Sequence, residues 1–133
     1  MAMSEPTAYL NRTSRYVQIA NATRNTTLAT RCGVADSFWT RWRGLMGQAQ
    51  LAPGEGLLIV PEWSIHTFFM RFAIDVAFLD HEQRVLKLYP ALPPNRPYAG
   101  AWGAAAVLEL PAGVLAATAT ATGDQLRLTP REP

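Results

Sequence analysis

Polar and apolar positions alternate along residues 64–80, SIHTFFMRFAIDVAFLD, with the two-residue period of a β-strand. On that alternation, His66 shares a mostly apolar face with the neighbouring phenylalanines, and Arg71 and Asp75 share the other face. The apolar face is predicted to lie against the core, which would point His66 inward. Because this run is longer than most strands, we expect a break near residues 71–73.

Shorter apolar runs predict the remaining strands. The polar turn at 80–83 is expected to join the first run to residues 84–89, RVLKLY, in a β-hairpin. Residues 57–60 and 107–110 are each of strand length and end at a proline-containing turn. Residues 123–128 are predicted to be a turn that leads into a final strand.

A three-to-four spacing of apolar side chains over residues 35–47 predicts the main helix. Gly47 is predicted to end it in a left-handed conformation. Gly44, near the end of the same segment, lowers helix stability, which indicates close backbone packing or an early helix end. A second, short helix is predicted within residues 114–122, where three threonines weaken it.

The segment 90–103 contains four prolines and two glycines and is predicted to be a stiff, irregular loop. It carries Arg96, Tyr98 and Trp102. Long loops in small domains are often functional, so one interpretation is an exposed binding loop. The other is a surface crossing with Trp102 packed onto the core.

The composition is typical of a folded globular protein: 49% of the residues are hydrophobic, 17% are charged, and the net charge is +2. Cys32 is the only cysteine, which excludes an intramolecular disulfide and makes the cytoplasm the expected location. No apolar stretch is long enough for a membrane span. Arginines concentrate before residue 50, but they are not interleaved with aromatic residues as in a nucleic-acid-binding surface, so we do not expect nucleic acid as a partner.

Five motifs occur together in this order: RGLMG (43–47), GEGLLIV (54–60), IHTFFMRFAIDVAFLD (65–80), VLELPAG (107–113) and GDQL (123–126). In order and spacing they resemble domain of unknown function 192, the uncharacterised ACR family, across roughly residues 28 to 129. Ala73 stands where that family often has proline, and Phe69 stands where the histidine-type variant often has glycine.

This resemblance implies a compact, mostly β fold, and it implies no established activity. Together with the periodicity, it predicts a mainly β (α+β) structure. We expect residues 1–133 to form a single-domain β-sandwich or barrel with one main helix and a second short one. Residues 1–10 are expected to form a loose N-terminal tail.

The chemistry that the residues offer is limited. His66, His81 and Cys32 lack the spacing of a metal site, and we expect neither a metal nor another cofactor. Ser64 and His66 lie close in sequence, but no nucleophile elbow accompanies them. Polar side chains inside the apolar motifs need partners, because an unpaired buried polar group costs about 1–3 kcal/mol. The candidate ligand-binding residues are Arg43, Trp63, His66, Thr67, Arg71, Asp75, Trp102 and Glu109.

Two interpretations of these residues stay open. In the structural one, Arg43 or Arg71 bridges Asp75 and Glu109, and His66 is neutral within the core. In the functional one, the arginines and His66 line a pocket for a small anionic or polyhydroxylated ligand, with aromatic walls. The alternatives are a protein-interaction module that uses the 90–103 loop and a small hydrolase or isomerase that uses His66 with Asp75. The oligomeric state is not predicted.

Overall fold

The computed structural model describes residues 15–37, 41 and 44–131. The predicted tail at 1–10 lies outside them, and so do residues 38–40 and 42–43 of the predicted helix at 35–47. The described elements are β1 (Tyr16–Asn21), β2 (Thr26–Ala35), β3 (Glu55–Ile59), β4 (Ser64–Ile65), β5 (Ile74–Leu79), β6 (Val85–Leu92), β7 (Ala99–Gly100), β8 (Ala106–Pro111), α1 (Val114–Ala117) and β9 (Leu126–Arg131). The predicted mainly β class is confirmed.

Seven of these strands form one sheet in the order β6-β5-β8-β3-β2-β1-β9, and β4 pairs with β7 in a separate small sheet. The pair β2–β3 is parallel, and the other neighbours are antiparallel. Polar turns join β1 to β2 and β5 to β6, which is why these consecutive strands pair directly as hairpins. The hairpin predicted around residues 80–83 is confirmed.

The large sheet curls until its two edge strands meet at one end. Arg84 and Gln125 form an antiparallel bridge between them. The amide of Val85 donates to the carbonyl of Asp124 over 2.9 Å, and the amide of Leu126 donates to the carbonyl of Gln83 over 3.0 Å. The sheet is therefore a partly closed barrel, since these bonds pair edge groups that an open sheet leaves free.

Strand alternation gives the barrel an inner and an outer face. The inner face holds an apolar cluster drawn from all seven strands, with Leu115 of α1 packed into it. The outer face holds a second cluster, which loop residues Leu45, Leu51, Met70 and Ala101 cover. On β8, Leu108 and Leu110 face inward, so Glu109 faces outward beneath these loops.

The expected break in residues 64–80 is present, and it is wider than predicted. β4 ends at Ile65 and β5 begins at Ile74. Between them the amide of Met70 donates to the carbonyl of Thr67, and Phe69 has a φ of 65°. Strand alternation does not apply in this turn, so the prediction that His66 points into the core is wrong: its side chain is exposed.

The segment 90–103 is more regular than predicted, because β6 continues to Leu92 and β7 forms within it. The Trp102 side chain is 96% exposed, so the interpretation that packs it onto the core is wrong. Gly47 has a φ of 78°, which agrees with the predicted left-handed conformation. Gly44 has a φ of 50° and open space where a Cβ would lie, so backbone conformation and not close packing accounts for it. Within the described ranges, no helix has the length and apolarity needed to cross a bilayer.

Candidate functional site

The small sheet of β4 and β7 holds two loops together over the outer face of the barrel. Ser64 pairs with Gly100 and Ile65 pairs with Ala99. The Tyr98 ring lies over Gly100, where an added Cβ would be 2.8 Å from the Tyr98 Cζ. Only glycine leaves room for the ring in this position. Tyr98 nevertheless stays 62% exposed, so its ring forms a wall open to solvent.

Thr67 locks the same two loops to each other. Its hydroxyl donates to the carbonyl of Pro93 and accepts from the amide of Arg96, both over 2.8 Å. Its own amide donates to the carbonyl of Arg96. Thr67 was predicted as a ligand-binding residue, but its buried hydroxyl is already bonded to the backbone. Its role in the structure is to position the loops.

Beneath these loops lies a cleft of about 320 Å³, between the small sheet, the turn at 44–47 and the outer face of the barrel. We call it the first cleft. Its lining residues are Arg41, Gly44, Leu45, Met46, Ile59, Glu62, Ser64, Ile65, His66, Met70, Pro97, Tyr98 and Glu109. The set combines an apolar floor with a few polar groups, which is typical of small-molecule sites.

Glu109 is the buried polar group of this cleft. It lies on β8 between two apolar neighbours, because it pairs with Leu57 on one side and with Val76 on the other. Its side chain is 4% exposed, and its Oε1 has no hydrogen-bond partner within residues 15–37, 41 and 44–131. Burial raises the pKa of this carboxyl from 4.5 to about 8, because desolvation penalises the charged form. At neutral pH Glu109 is therefore mostly a neutral acid that can both donate and accept a hydrogen bond.

His66 lines the rim of the first cleft. Its Nδ1 accepts a hydrogen bond of 3.1 Å from the amide of Phe68, and the two rings lie 5.3 Å apart between centroids. Nδ1 is therefore occupied by the backbone, and Nε2 is the ring atom left for a ligand. His66 and Glu109 are two of the sequence-predicted residues that the structure brings to one site.

Arg41 contributes a second buried atom without a partner. Its Nη1 donates to the carbonyl of Pro61 over 3.3 Å, and its buried Nε has no hydrogen-bond partner in the described chain. Unpaired buried donors are rare in proteins, and each needs an explanation. Arg41 also lines a neighbouring cleft of about 430 Å³, which we call the second cleft, and so does Glu62. The other residues lining the second cleft are Val60, Pro61, Trp63, His81, Ala104 and Ala105.

Asp75 lies on the opposite face of the sheet from Glu109. It pairs with Leu110, whose side chain is in the inner cluster, whereas Glu109 is paired with Val76 of the outer cluster. Asp75 is 1% exposed, and its two carboxylate oxygens accept three backbone amides: Ala91 at 2.8 Å, Gly113 at 3.0 Å and Leu115 at 2.8 Å. The prediction of Asp75 as a ligand-binding residue, or as the partner of His66 in a catalytic pair, is therefore wrong.

The other predicted residues are dispersed. Trp63 lines the second cleft and not the first. Arg71 and Trp102 are exposed and line neither cleft. Arg43 lies outside the described residues. The proposed bridge from Arg71 to Asp75 and Glu109 is absent from the ion pairs of the described chain, which are Arg15–Asp36 and Arg24–Asp124.

Four polar residues of the first cleft were not among the predicted site residues: Arg41, Glu62, Ser64 and Tyr98. Ser64 adjoins the motif at 65–80, and Tyr98 lies in the 90–103 loop, so the sequence already pointed to the neighbourhood of both residues. Arg41 and Glu62 lie two residues from the motifs at 43–47 and 54–60, but only the fold shows that both reach this cleft.

Metal and thiol chemistry find little support here. No group of three or more His, Cys, Asp or Glu side chains in the described part of the chain could hold a metal ion. Cys32 is buried, and burial raises the pKa of its thiol, with the charge of Glu109 as a smaller cause. A thiol in such surroundings is a poor nucleophile.

Comparison with known proteins identifies relatives of the whole fold. The chain is 35% identical over 116 residues to a UPF0127 protein from Thermococcus sibiricus, covering 81% of this chain and 72% of that protein. A protein of unknown function from Novosphingobium aromaticivorans superimposes with a TM-score of 0.73 at 21% identity, covering 84% of this chain and 83% of the other. A proposed transcription regulator from Sinorhizobium meliloti gives 0.75 at 22% identity, over 86% and 92%.

The two solved structures show the shared fold alone. A family model matches residues 18–128, which include every described strand except the start of β1 and the end of β9. This span also contains all five motifs on which the sequence resemblance rests. The chain belongs to the DUF192 family, Uncharacterized ACR, whose function is unknown.

Proposed function

We propose that the protein binds a small, uncharged, polyhydroxylated molecule of the carbohydrate class in the first cleft. The observation that carries the proposal is the buried Glu109 carboxyl, which lines a cleft open to solvent and whose Oε1 has no partner in the part of the chain that the structure describes. Leaving such an atom unsatisfied costs about 1–3 kcal/mol, and proteins normally avoid it. A ligand hydroxyl fits this position, because a protonated carboxyl and a hydroxyl can each donate and accept.

The charge of the lining favours a neutral ligand over an anionic one. Arg41 and Glu62 carry opposite charges, and the high pKa of Glu109 keeps it mostly uncharged at neutral pH. Arg71, which was predicted to help hold an anion, lies outside the cleft. An anion site would need an excess of cationic donors, and the described lining has none.

The shape of the cleft supports the same ligand class. Tyr98 presents a fixed, half-open aromatic wall, and Ser64 and His66 add polar atoms beside it. A sugar ring has apolar faces and a polar edge, so it can pack on the tyrosine while its hydroxyls meet the polar groups. The volume of about 320 Å³ is at the lower end for ligand pockets and suits a molecule of one ring.

The test is titration calorimetry with glucose, galactose, mannose and N-acetylglucosamine, alongside glucose 6-phosphate as the anionic comparison. We expect at least one neutral sugar to bind and the phosphorylated sugar to bind no better. Glu109→Met removes both hydrogen-bonding atoms at similar volume, and we expect it to weaken binding by roughly tenfold or more. Glu109→Gln keeps a donor and an acceptor and should retain part of the affinity.

Glu82→Gln is the matched control, because Glu82 is an exposed glutamate in the β5–β6 turn, outside both clefts. It should bind as the wild type does. The proposal fails if no neutral sugar binds, or if Glu109→Met folds and binds normally. Native mass spectrometry of the purified protein adds a search for a retained molecule without assuming its identity. The cytoplasmic location predicted from the single cysteine stays a prediction.

The exposed Trp102 favours a second candidate, a protein-interaction module that uses the 90–103 segment. Trp102 and Tyr98 are both exposed there, and such residues are enriched at the centres of protein interfaces. This candidate predicts that Trp102→Ala abolishes association with a partner and leaves sugar binding intact. Sedimentation of the purified protein at increasing concentration tests whether that partner is a second copy of the chain.

A further inference from the structure

The first and second clefts adjoin, because Arg41 and Glu62 line both. We infer that they form one bipartite site, which takes an oligosaccharide with one sugar unit beside Glu109 and the next unit beside Trp63. This inference rests on the proposed function and extends it from a single sugar to a chain of two or more units. Each cleft has a volume near the lower limit for small-molecule pockets, so each suits one ring.

Arg41 stands at the boundary between the two clefts. Its bond to the carbonyl of Pro61 fixes the guanidinium against a wall of the second cleft. Its buried Nε–H remains without an acceptor among the described residues. An oxygen at the junction of two sugar units would satisfy that donor, just as a hydroxyl of the first unit would satisfy Glu109 Oε1. The two unpaired atoms therefore mark two points along one ligand.

Trp63 has the properties of a platform for the second unit. Its side chain is 54% exposed and lines the second cleft, so a ligand can reach the indole face. Its backbone is held in place, because its carbonyl accepts the amide of Ala101 over 3.1 Å and the preceding Glu62 amide donates to Ala105 over 3.1 Å. A rigid aromatic side chain offers a large contact area at a low cost in conformational entropy.

The experiment compares glucose with its α-1,4-linked and β-1,4-linked dimers and trimers, and likewise N-acetylglucosamine with its β-1,4-linked dimer and trimer, by titration calorimetry. We expect one dimer to bind roughly tenfold or more tightly than its monomer. Trp63→Ala should remove that gain and leave the affinity for the monomer nearly unchanged. Phe69→Ala is the control, because Phe69 is an exposed aromatic residue that lines neither cleft.

The indole N–H signals in the NMR spectrum give an independent readout. The Trp63 signal should shift when the dimer is added and stay in place with the monomer. If monomers bind and dimers bind no more tightly, the single-cleft function stands and this inference is overturned. If neither monomers nor oligomers bind, the proposed function itself fails, and the bipartite site fails with it.

Discussion

Three buried acids of the barrel, Asp75, Asp124 and Glu109, differ in their surroundings. On the inner side, Asp75 accepts three backbone amides. At the end where β6 and β9 meet, Asp124 accepts the Asn21 side-chain amide at 2.9 Å, the Arg24 Nε at 3.0 Å and the Ala121 amide at 2.9 Å. On the outer side, Glu109 is as deeply buried, and its Oε1 has no hydrogen-bond partner among the residues that the structure describes.

The difference separates polar groups that hold the fold together from one that does not. Asp75 ties β6 and the start of α1 to β5, and Asp124 ties β1 to the turn before β9, so each joins segments far apart in the chain. Glu109 joins nothing in the described chain and only carries the cost of its own desolvation. A buried group that weakens the fold without serving it is the kind found at functional sites.

The largest effect is expected from Asp75→Ala. The change would leave three backbone amides without acceptors, and each unsatisfied buried donor costs about 1–3 kcal/mol, so we expect a loss of at least about 3 kcal/mol in unfolding free energy. Urea denaturation at neutral pH measures it. Glu82→Ala, at an exposed turn position, should change stability by less than about 0.5 kcal/mol. A loss below about 1 kcal/mol for Asp75→Ala would remove Asp75 from the structural group.

Glu109→Gln should instead raise the unfolding free energy, by an amount that depends on pH. The unfolded chain loses this proton near the ordinary pKa of 4.5, and the folded chain holds it until about pH 8. Wild-type stability is therefore fully present below the lower value, falls as pH rises between the two, and is lowest above the higher one. Each pH unit in that window costs at most about 1.4 kcal/mol.

Glutamine does not ionise, so the variant should escape this loss. We expect it to be close to the wild type at about pH 5 and more stable by about 2 kcal/mol or more at about pH 9. Urea denaturation across this pH range compares the two proteins. Equal stability at the alkaline end would mean that Glu109 is solvated or paired, and the contrast with Asp75 would disappear.

Asp124→Asn should lower the unfolding free energy by a smaller amount, and this loss should depend on pH in the acidic range. The hydrogen bond from Arg24 is the main cause that lowers the pKa of Asp124 from 3.8 to about 2, and Asn21 and the Ala121 amide add to it. A depressed pKa contributes stability above the ordinary value, and this is lost as pH falls through about 2. At neutral pH we expect the variant to lose about 1–2 kcal/mol, as is usual for a charge-assisted hydrogen bond.

That difference should narrow below pH 3.8, because the unfolded wild-type chain then takes up a proton at this carboxyl, whereas the folded chain does so only near pH 2. Arg24→Gln removes the other half of the pair and serves as the comparison. The double variant should lose little more than either single variant, since both changes break one interaction. Fully additive losses would show that the pair does not act as a unit.

Strands β3, β5, β6, β8 and β9 were predictable from the sequence because their signals are local, whereas β1, β2 and β7 were not predicted. The two-residue period marks β5, and the polar turn at 80–83 joins it to β6 without reference to the rest of the chain. The conformation around His66 was not predictable in this way. It depends on a turn in which Phe69 adopts a positive φ, and a bulky aromatic residue gives no local sign of that.

The candidate site was predictable only in part, because its composition depends on long-range register. The motif VLELPAG singled out Glu109, and alternation within it placed Glu109 opposite to Leu108 and Leu110. However, pairing of Val76 with Glu109 across β5 and β8 decides that Asp75 lies on the other face. A shift of one residue in that register would have brought the two acids to one side, and the separate strand patterns cannot distinguish the two cases.

The smallest effect is expected from Trp102→Ala. An indole that is 96% exposed buries almost no apolar surface in the folded state, so its removal should change the unfolding free energy by less than about 0.5 kcal/mol. Phe78→Ala is the comparison, because removal of this fully buried ring from the outer cluster should lower the unfolding free energy by about 3–5 kcal/mol. Urea denaturation measures both.

A large loss for Trp102→Ala would mean that the indole packs on the barrel in solution, which would remove the exposed surface that the interaction-module candidate needs. A negligible loss leaves an aromatic side chain that the fold does not use, as Glu109 is a carboxyl that the fold does not use.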